Sequence, residues 1–85
     1  MDRVRVYTTE PCGFCRTAKA LLDARGVPYA EISLAKDPEG RAQLAERTGL
    51  MTFPQIVIDD EPIGGFQELM RADRAGLLKP LAAAA

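Results

Sequence analysis

The amino-acid sequence predicts an α/β domain, a four-stranded mixed sheet flanked by helices in the order β-α-β-α-β-β-α. Two observations carry this. Apolar residues switch repeatedly between the alternating spacing of a strand and the wider spacing of a helix, with Gly, Pro or Asp punctuating the switches. The last two strand patterns are separated only by Asp59-Asp60, so they form an antiparallel hairpin in a sheet whose other connections are long enough to be crossovers. With 85 residues available, residues 1–85 make one small domain with a modest core.

Val4, Val6 and Thr8 alternate with Arg3, Arg5 and Tyr7, which predicts a first strand over residues 3–8. Thr9-Glu10-Pro11 ends it, because Pro11 has no amide hydrogen to give a ladder. From Gly13 to Arg25 the apolar residues Phe14, Ala18, Leu21 and Leu22 recur at helical spacing, and Gly26 stops the helix. Residues 27–32 resume the extended pattern. A strand, a helix and a strand within about thirty residues make one right-handed crossover with parallel strands. Asp37 caps and Pro38 opens a second helix that Gly49 ends, with Ala42, Leu44 and Ala45 as its apolar stripe. The β-branched run Gln55 to Ile58 is the third strand, and Glu61 to Gly64 is a fourth that Pro62 confines to an edge. Phe66, Leu69 and Met70 mark the last helix, Gly76 ends it, and Leu77, Leu78 and Leu81 form a short docked turn before a frayed end at residues 82–85.

The 11 basic and 12 acidic residues are interleaved along the chain, which gives no basic strip for nucleic acid. Nothing approaches the length of a membrane span, and the amino terminus goes straight into strand alternation without a secretory apolar run. The expected compartment is the cytoplasm, where thiols stay reduced and a lone cysteine pair is more often chemically employed than structural.

Both cysteines lie in Cys12-Gly13-Phe14-Cys15, at the junction of the first strand and first helix. A closed zinc site needs four ligands, and two thiols without histidine do not supply them. A buried inert pair is the bland alternative. Against it, a thiol in the first helical turn faces unpaired amides and the positive end of the dipole, which favour the thiolate. Cys15, one turn on, points back along the helix and towards the core. Cys12 therefore attacks and Cys15 resolves, and the pair closes a disulfide with little motion.

Cys12/Cys15 after the first strand, Thr52-Phe53-Pro54 before the third and Gly64-Gly65 before the last helix together resemble a glutaredoxin of the short bacterial dithiol type. The resemblance covers nearly the whole chain and implies the thioredoxin fold. It also implies a groove for glutathione, with Pro54 in cis and opposite the nucleophilic sulfur. In that groove Phe53 presents its backbone, and Gly65, Phe66 and Gln67 offer the helix start to the γ-glutamyl carboxylate. Arg41 matches the position that meets the glycine carboxylate, and Phe14 the aromatic between the cysteines. Thr9 stands where many glutaredoxins carry a Lys, so one cation is missing.

The implied activity is glutathione-dependent reduction of protein-glutathione mixed disulfides and protein disulfides by a monomer with no nucleic-acid or membrane partner. Two alternatives follow from the departures. Thr9 leaves room for reduction by thioredoxin reductase instead of glutathione. Gly13-Phe14 resembles the motif of monothiol, cluster-carrying glutaredoxins, so Cys12 of two chains with two glutathiones is the alternative seat for a [2Fe–2S] cluster.

Overall fold

The computed structural model describes residues 3–83, so Met1-Asp2 and the last two residues of the expected frayed end, Ala84-Ala85, lie outside the described residues. Strand β1 (Val4–Thr8) buries Val4, Val6 and Thr8 and leaves the alternate positions half exposed, as a strand covered on one face should. Strand β2 (Ala30–Ser33) lies parallel to it, with Arg5 opposite Ala30. It starts later than residue 27 because Val27 belongs to the exit of the preceding helix. Its N–H donates to the carbonyl of Leu22 at 2.9 Å while its side chain enters the core, and Pro28 then has no hydrogen to give.

Strand β3 (Gln55–Ile58) runs antiparallel to β1 and to β4 (Glu61–Gly64), so the sheet order is β2-β1-β3-β4. The sheet is mixed, and β4 with Pro62 is an edge. Asp59 and Asp60 both take positive φ at the hairpin turn, and each carboxylate is held from β1 or the residue before it: Arg3 grips Asp59 at 2.7 and 2.8 Å, and Arg5 reaches Asp60 at 2.8 Å.

Helix α1 (Gly13–Ala24) buries Cys15, Ala18 and Leu22. This corrects the predicted apolar face. Phe14 is one position around the helix from Cys15 and stands 65% exposed, so the sulfur, not the ring, completes the stripe facing the core. Helix α2 (Pro38–Thr48) is capped by Asp37, whose carboxylate accepts from Gly40 N–H at 2.9 Å, and ends at Gly49 with φ of 74°. Of its expected stripe only Leu44 is buried; Ala42 is exposed. Helix α3 (Phe66–Arg74) buries Leu69, and a 3₁₀ turn at Lys79–Leu81 follows the buried Leu78.

Val4, Val6 and Ile56 of the sheet meet Ala18 and Leu22 of α1, Leu69 of α3, and Val27 and Leu78 in one core. Val57, Leu34 and Leu44 are buried outside that cluster, since alternation turns Val57 to the opposite face from Ile56. The two helices that share the first face both begin near the same end of the sheet, and that end carries the cysteines.

Candidate functional site

The cysteine pair owes its place to the abrupt end of β1. Thr9-Glu10-Pro11, with a cis Glu10–Pro11 bond, carries the chain off the sheet, and Cys12 becomes the residue before the first helical one. Its backbone is extended (φ −155°, ψ 98°) and its Sγ accepts the N–H of Cys15 at 3.1 Å. Cys12 is thus the N-cap and not a member of the first turn. The sulfur does the work usually left to a Ser or Asp oxygen, and the N–H it receives stabilises negative charge on it more directly than a distant dipole would. Cys15 is only 2% exposed, Cys12 is half-buried, and the two are joined as a disulfide with Cα atoms 5.3 Å apart. The accessible sulfur and the hidden one are those that the sequence pointed to.

Beside them lies a cavity of about 200 Å³ lined by Phe14, Thr52, Phe53, Pro54, Gly65, Phe66, Gln67 and Glu68. Phe14 leaves the core in order to stack on Phe66, with ring centroids 5.8 Å apart and planes 26° apart, which joins the starts of α1 and α3. On the other side, the Phe53–Pro54 bond is cis and Pro54 is buried. A side chain at Gly65 would begin 3.4 Å from the carbonyl of Pro54, so the α3 start and the Pro54 wall approach as closely as a bare backbone conveniently allows.

Glu68 explains much of this corner. Its Oε1 accepts the N–H of Gly65 at 2.8 Å, capping α3 from within. Gly64 takes φ of +120°, and a Cβ there would stand 2.7 Å from Glu68 Cγ, so only glycine leaves room for the carboxylate. This trims the reading of the helix start. The Gly65 amide is engaged by Glu68, while the N–H groups of Phe66 and Gln67 have no partner within the helix. Glu68 and Thr52 line the cavity without having been expected there. The Gly-x-x-Glu spacing of a capping box was the available signal for Glu68, and Thr52 belongs to the Thr52-Phe53-Pro54 motif although it was not itself expected to line the groove.

Arg41 stands at the far side of Phe53, its guanidinium 5.6 Å from the ring centre. Nε donates to the carbonyl of Leu34 at 2.8 Å, and Nη2 donates to Thr9 Oγ1 and to the carbonyl of Ala35. Arg41 and Phe53 together line a second hollow of about 250 Å³ that continues past Leu50 and Met51. Phe53 is therefore the shared wall. All the expected binding residues gather here, though Thr9 arrives only through Arg41: in place of a second cation it holds the one that is present.

Several carboxyls sit below their usual range, and each belongs to an ion pair that lines neither hollow. Asp59 is held down by Arg3 and Asp73 by Arg25, which grips it at 2.7 and 3.0 Å. For Glu31, burial pushes upward, but hydrogen bonds from Lys19 and Thr8 outweigh it.

The sequence model of the glutaredoxin family matches residues 4–63 of this chain. The chain belongs to the glutaredoxin family. It is 41% identical over 81 residues to glutaredoxin 3 of Escherichia coli strain K12, covering 95% of this chain and 98% of that one. It is 43% identical to a glutaredoxin of Pseudomonas aeruginosa, across 99% of this chain and the whole of the relative. Among solved structures it resembles a buckwheat glutaredoxin-glutathione complex, with a TM-score of 0.85, 32% identity and coverage of 94% and 76% of the two chains. The solution structure of a Brucella melitensis glutaredoxin matches with a TM-score of 0.81 and 41% identity, over 95% and 88%.

This glutaredoxin accordingly has the thioredoxin fold, and its family role is that of a thiol-disulfide oxidoreductase with Cys12-Cys15 as the redox-active pair. Among the described residues no three His, Cys, Asp or Glu side chains come together as a metal site. An iron-sulfur cluster on this glutaredoxin would find one accessible protein thiolate, Cys12, and would need its remaining ligands from outside the chain. Among the described residues, too, no helix is long and apolar enough to cross a membrane.

Proposed function

We propose that this glutaredoxin uses glutathione to reduce protein-glutathione mixed disulfides and protein disulfides, with Cys12 as nucleophile, Cys15 as resolver, and a single chain as the working unit. One observation carries the reading: a trough with an apolar floor, backbone N–H groups at one end and a guanidinium at the other. Phe14, Phe53, Pro54 and Phe66 supply the apolar contact, the N–H groups of Phe66 and Gln67 face one end, and the Arg41 guanidinium stands at the other. Glutathione is an extended tripeptide with a carboxylate at each end and its sulfur in the middle. The match to a glutaredoxin solved as a glutathione complex supports the same ligand.

The cycle balances as thiol-disulfide exchange. The Cys12 thiolate attacks the glutathione sulfur of a mixed disulfide, that bond breaks, and the substrate sulfur leaves as a thiolate that takes up a proton. A second glutathione thiolate attacks the glutathione sulfur now on Cys12, forming glutathione disulfide and restoring the Cys12 thiolate. With a protein disulfide, Cys12 forms the mixed disulfide and the Cys15 thiolate displaces the substrate by attacking Cys12 Sγ, leaving the internal disulfide. Two glutathiones then reduce that bond. Cys15 is well placed for the second role because it is already buried against the sulfur it must reach.

The test is turnover of a small glutathione mixed disulfide coupled to a glutathione-recycling system. Cys12→Ser should abolish it, and Cys15→Ser should keep much of it, because the monothiol route does not use Cys15. Equal loss in both variants would overturn the assignment of roles. Turnover with thioredoxin reductase but none with glutathione would overturn the choice of reductant.

A further inference from the structure

We infer that Gln55 is a positioning residue for the glutathione groove, its buried amide holding residues 50–54 in the shape that makes the groove wall. The inference rests on the function proposed above. Gln55 opens β3 and is 2% exposed, an unusual place for a flexible polar side chain unless its polar atoms are satisfied. They are. Nε2 donates to the carbonyl of Leu50 and to the carbonyl of Thr52, each at 3.0 Å, which uses both of its hydrogens. Oε1 lies 2.8 Å from Thr48 Oγ1, whose single hydrogen it shares with the Leu44 carbonyl at 3.0 Å, and the same hydroxyl accepts the N–H of Leu50 at 3.1 Å. The last residue of α2, the loop, and the first residue of β3 are thereby closed into one hydrogen-bonded ring.

The ring has a mechanical consequence. Two carbonyls that flank one residue converge on a single nitrogen, so the residue between them is pushed to the apex; Met51 stands 85% exposed. The chain leaving the ring is Thr52-Phe53-Pro54, which forms one wall of the groove and supports Arg41 on the other side of Phe53. Neighbouring choices of similar size fail on donor chemistry or reach. Glu would set an acceptor against two carbonyl oxygens, Asn is one methylene short, and Leu offers no donor. With the donors gone the two carbonyls would turn to water and take the loop with them, because among the described residues no other side chain holds them.

Gln55 touches neither cysteine, so its loss should act on binding and not on sulfur chemistry. With a glutathionylated peptide as substrate, Gln55→Leu should raise KM about tenfold and leave kcat within about twofold of wild type. Amide hydrogen exchange at residues 50–53 should quicken in parallel. Thr48→Val should shift KM in the same direction by a few-fold, while Thr48→Ser, which keeps the hydroxyl, should match wild type. If Gln55→Leu does not fold, the Thr48 pair decides the matter alone. Variants with lowered melting temperature but wild-type KM, measured well below melting, would overturn the inference. A wild-type protein with no glutathione turnover would instead overturn the function it rests on, and that result is distinct from an unchanged KM in active variants.

Discussion

At the residue scale, a single N–H donated to Cys12 Sγ favours charge on the sulfur that solvent can reach and leaves Cys15 to the core, which is the asymmetry that the proposed roles rest on. That much was legible, because Pro11 ends the strand immediately before the cysteine. The partner of Arg41 was not. Thr9 and Arg41 are 32 residues apart, and only the packing of α2 beside the β1 exit brings them together. Arg41→Ala should raise the KM for a glutathione mixed disulfide about five- to tenfold, the loss of one charge-assisted contact. Unchanged KM would show the guanidinium to be occupied wholly by Leu34 and Thr9. Glu31 supplies a pH-dependent counterpart away from the site. Its folded value lies below the ordinary 4.5, so the stabilisation it lends is complete above 4.5 and is lost as the pH falls through the lower folded value. Glu31→Gln should therefore be less stable than wild type at neutral pH, by under about 1 kcal/mol given its partial exposure. Urea titrations near pH 3 should find the difference narrowed; a constant difference would contradict the linkage.

At the scale of elements, helix signals read well where they were local. Asp37-Pro38 and Gly49 bounded α2, and Cys12 to Gly26 bounded α1, because caps and stops act through neighbouring backbone. The helix face read less well. Phe14, Ala18, Leu21 and Leu22 fit helical spacing nearly as closely as Cys15, Ala18 and Leu22, and only the partner Phe66, 52 positions away, draws the ring outward. Strand β2 lost its first residues to the helix exit for a similar reason. Helix α2 carries a sharper prediction. Replacing a helical glycine by alanine commonly gains about 1 kcal/mol, but a Cβ at Gly40 would lie 2.8 Å from Asp37 Cγ and 2.9 Å from Leu34 Cδ2. It would displace the cap that Gly40 itself satisfies. Gly40→Ala should lower the melting temperature by a few degrees, about the cost of a lost N-cap; a rise would mean that the cap can shift freely.

Across the whole molecule, the sheet order β2-β1-β3-β4 brings the exit of β1, the entry to β3 and the start of α3 to one end, and that convergence makes the site. The parallel β1-β2 pair and the antiparallel β3-β4 hairpin followed from connection lengths and from the Asp59-Asp60 turn, whereas the seating of β3 against β1 did not, because no short connection links those two strands. Gln55, which braces the groove from behind, did not follow, because a buried polar side chain is recognised by its partners and those partners are set by tertiary packing, whereas Glu68 had a local signal in its Gly-x-x-Glu spacing. Everything proposed for this groove turns on Cys12 being the sulfur that exchanges with glutathione. Intact-mass analysis of the Cys15→Ser protein after treatment with glutathione disulfide tests it most directly. One glutathione per chain is expected, on Cys12, removed again by excess reduced glutathione, and none on the Cys12→Ser protein. An unmodified Cys15→Ser protein, or equal modification of the Cys12→Ser protein, would contradict it.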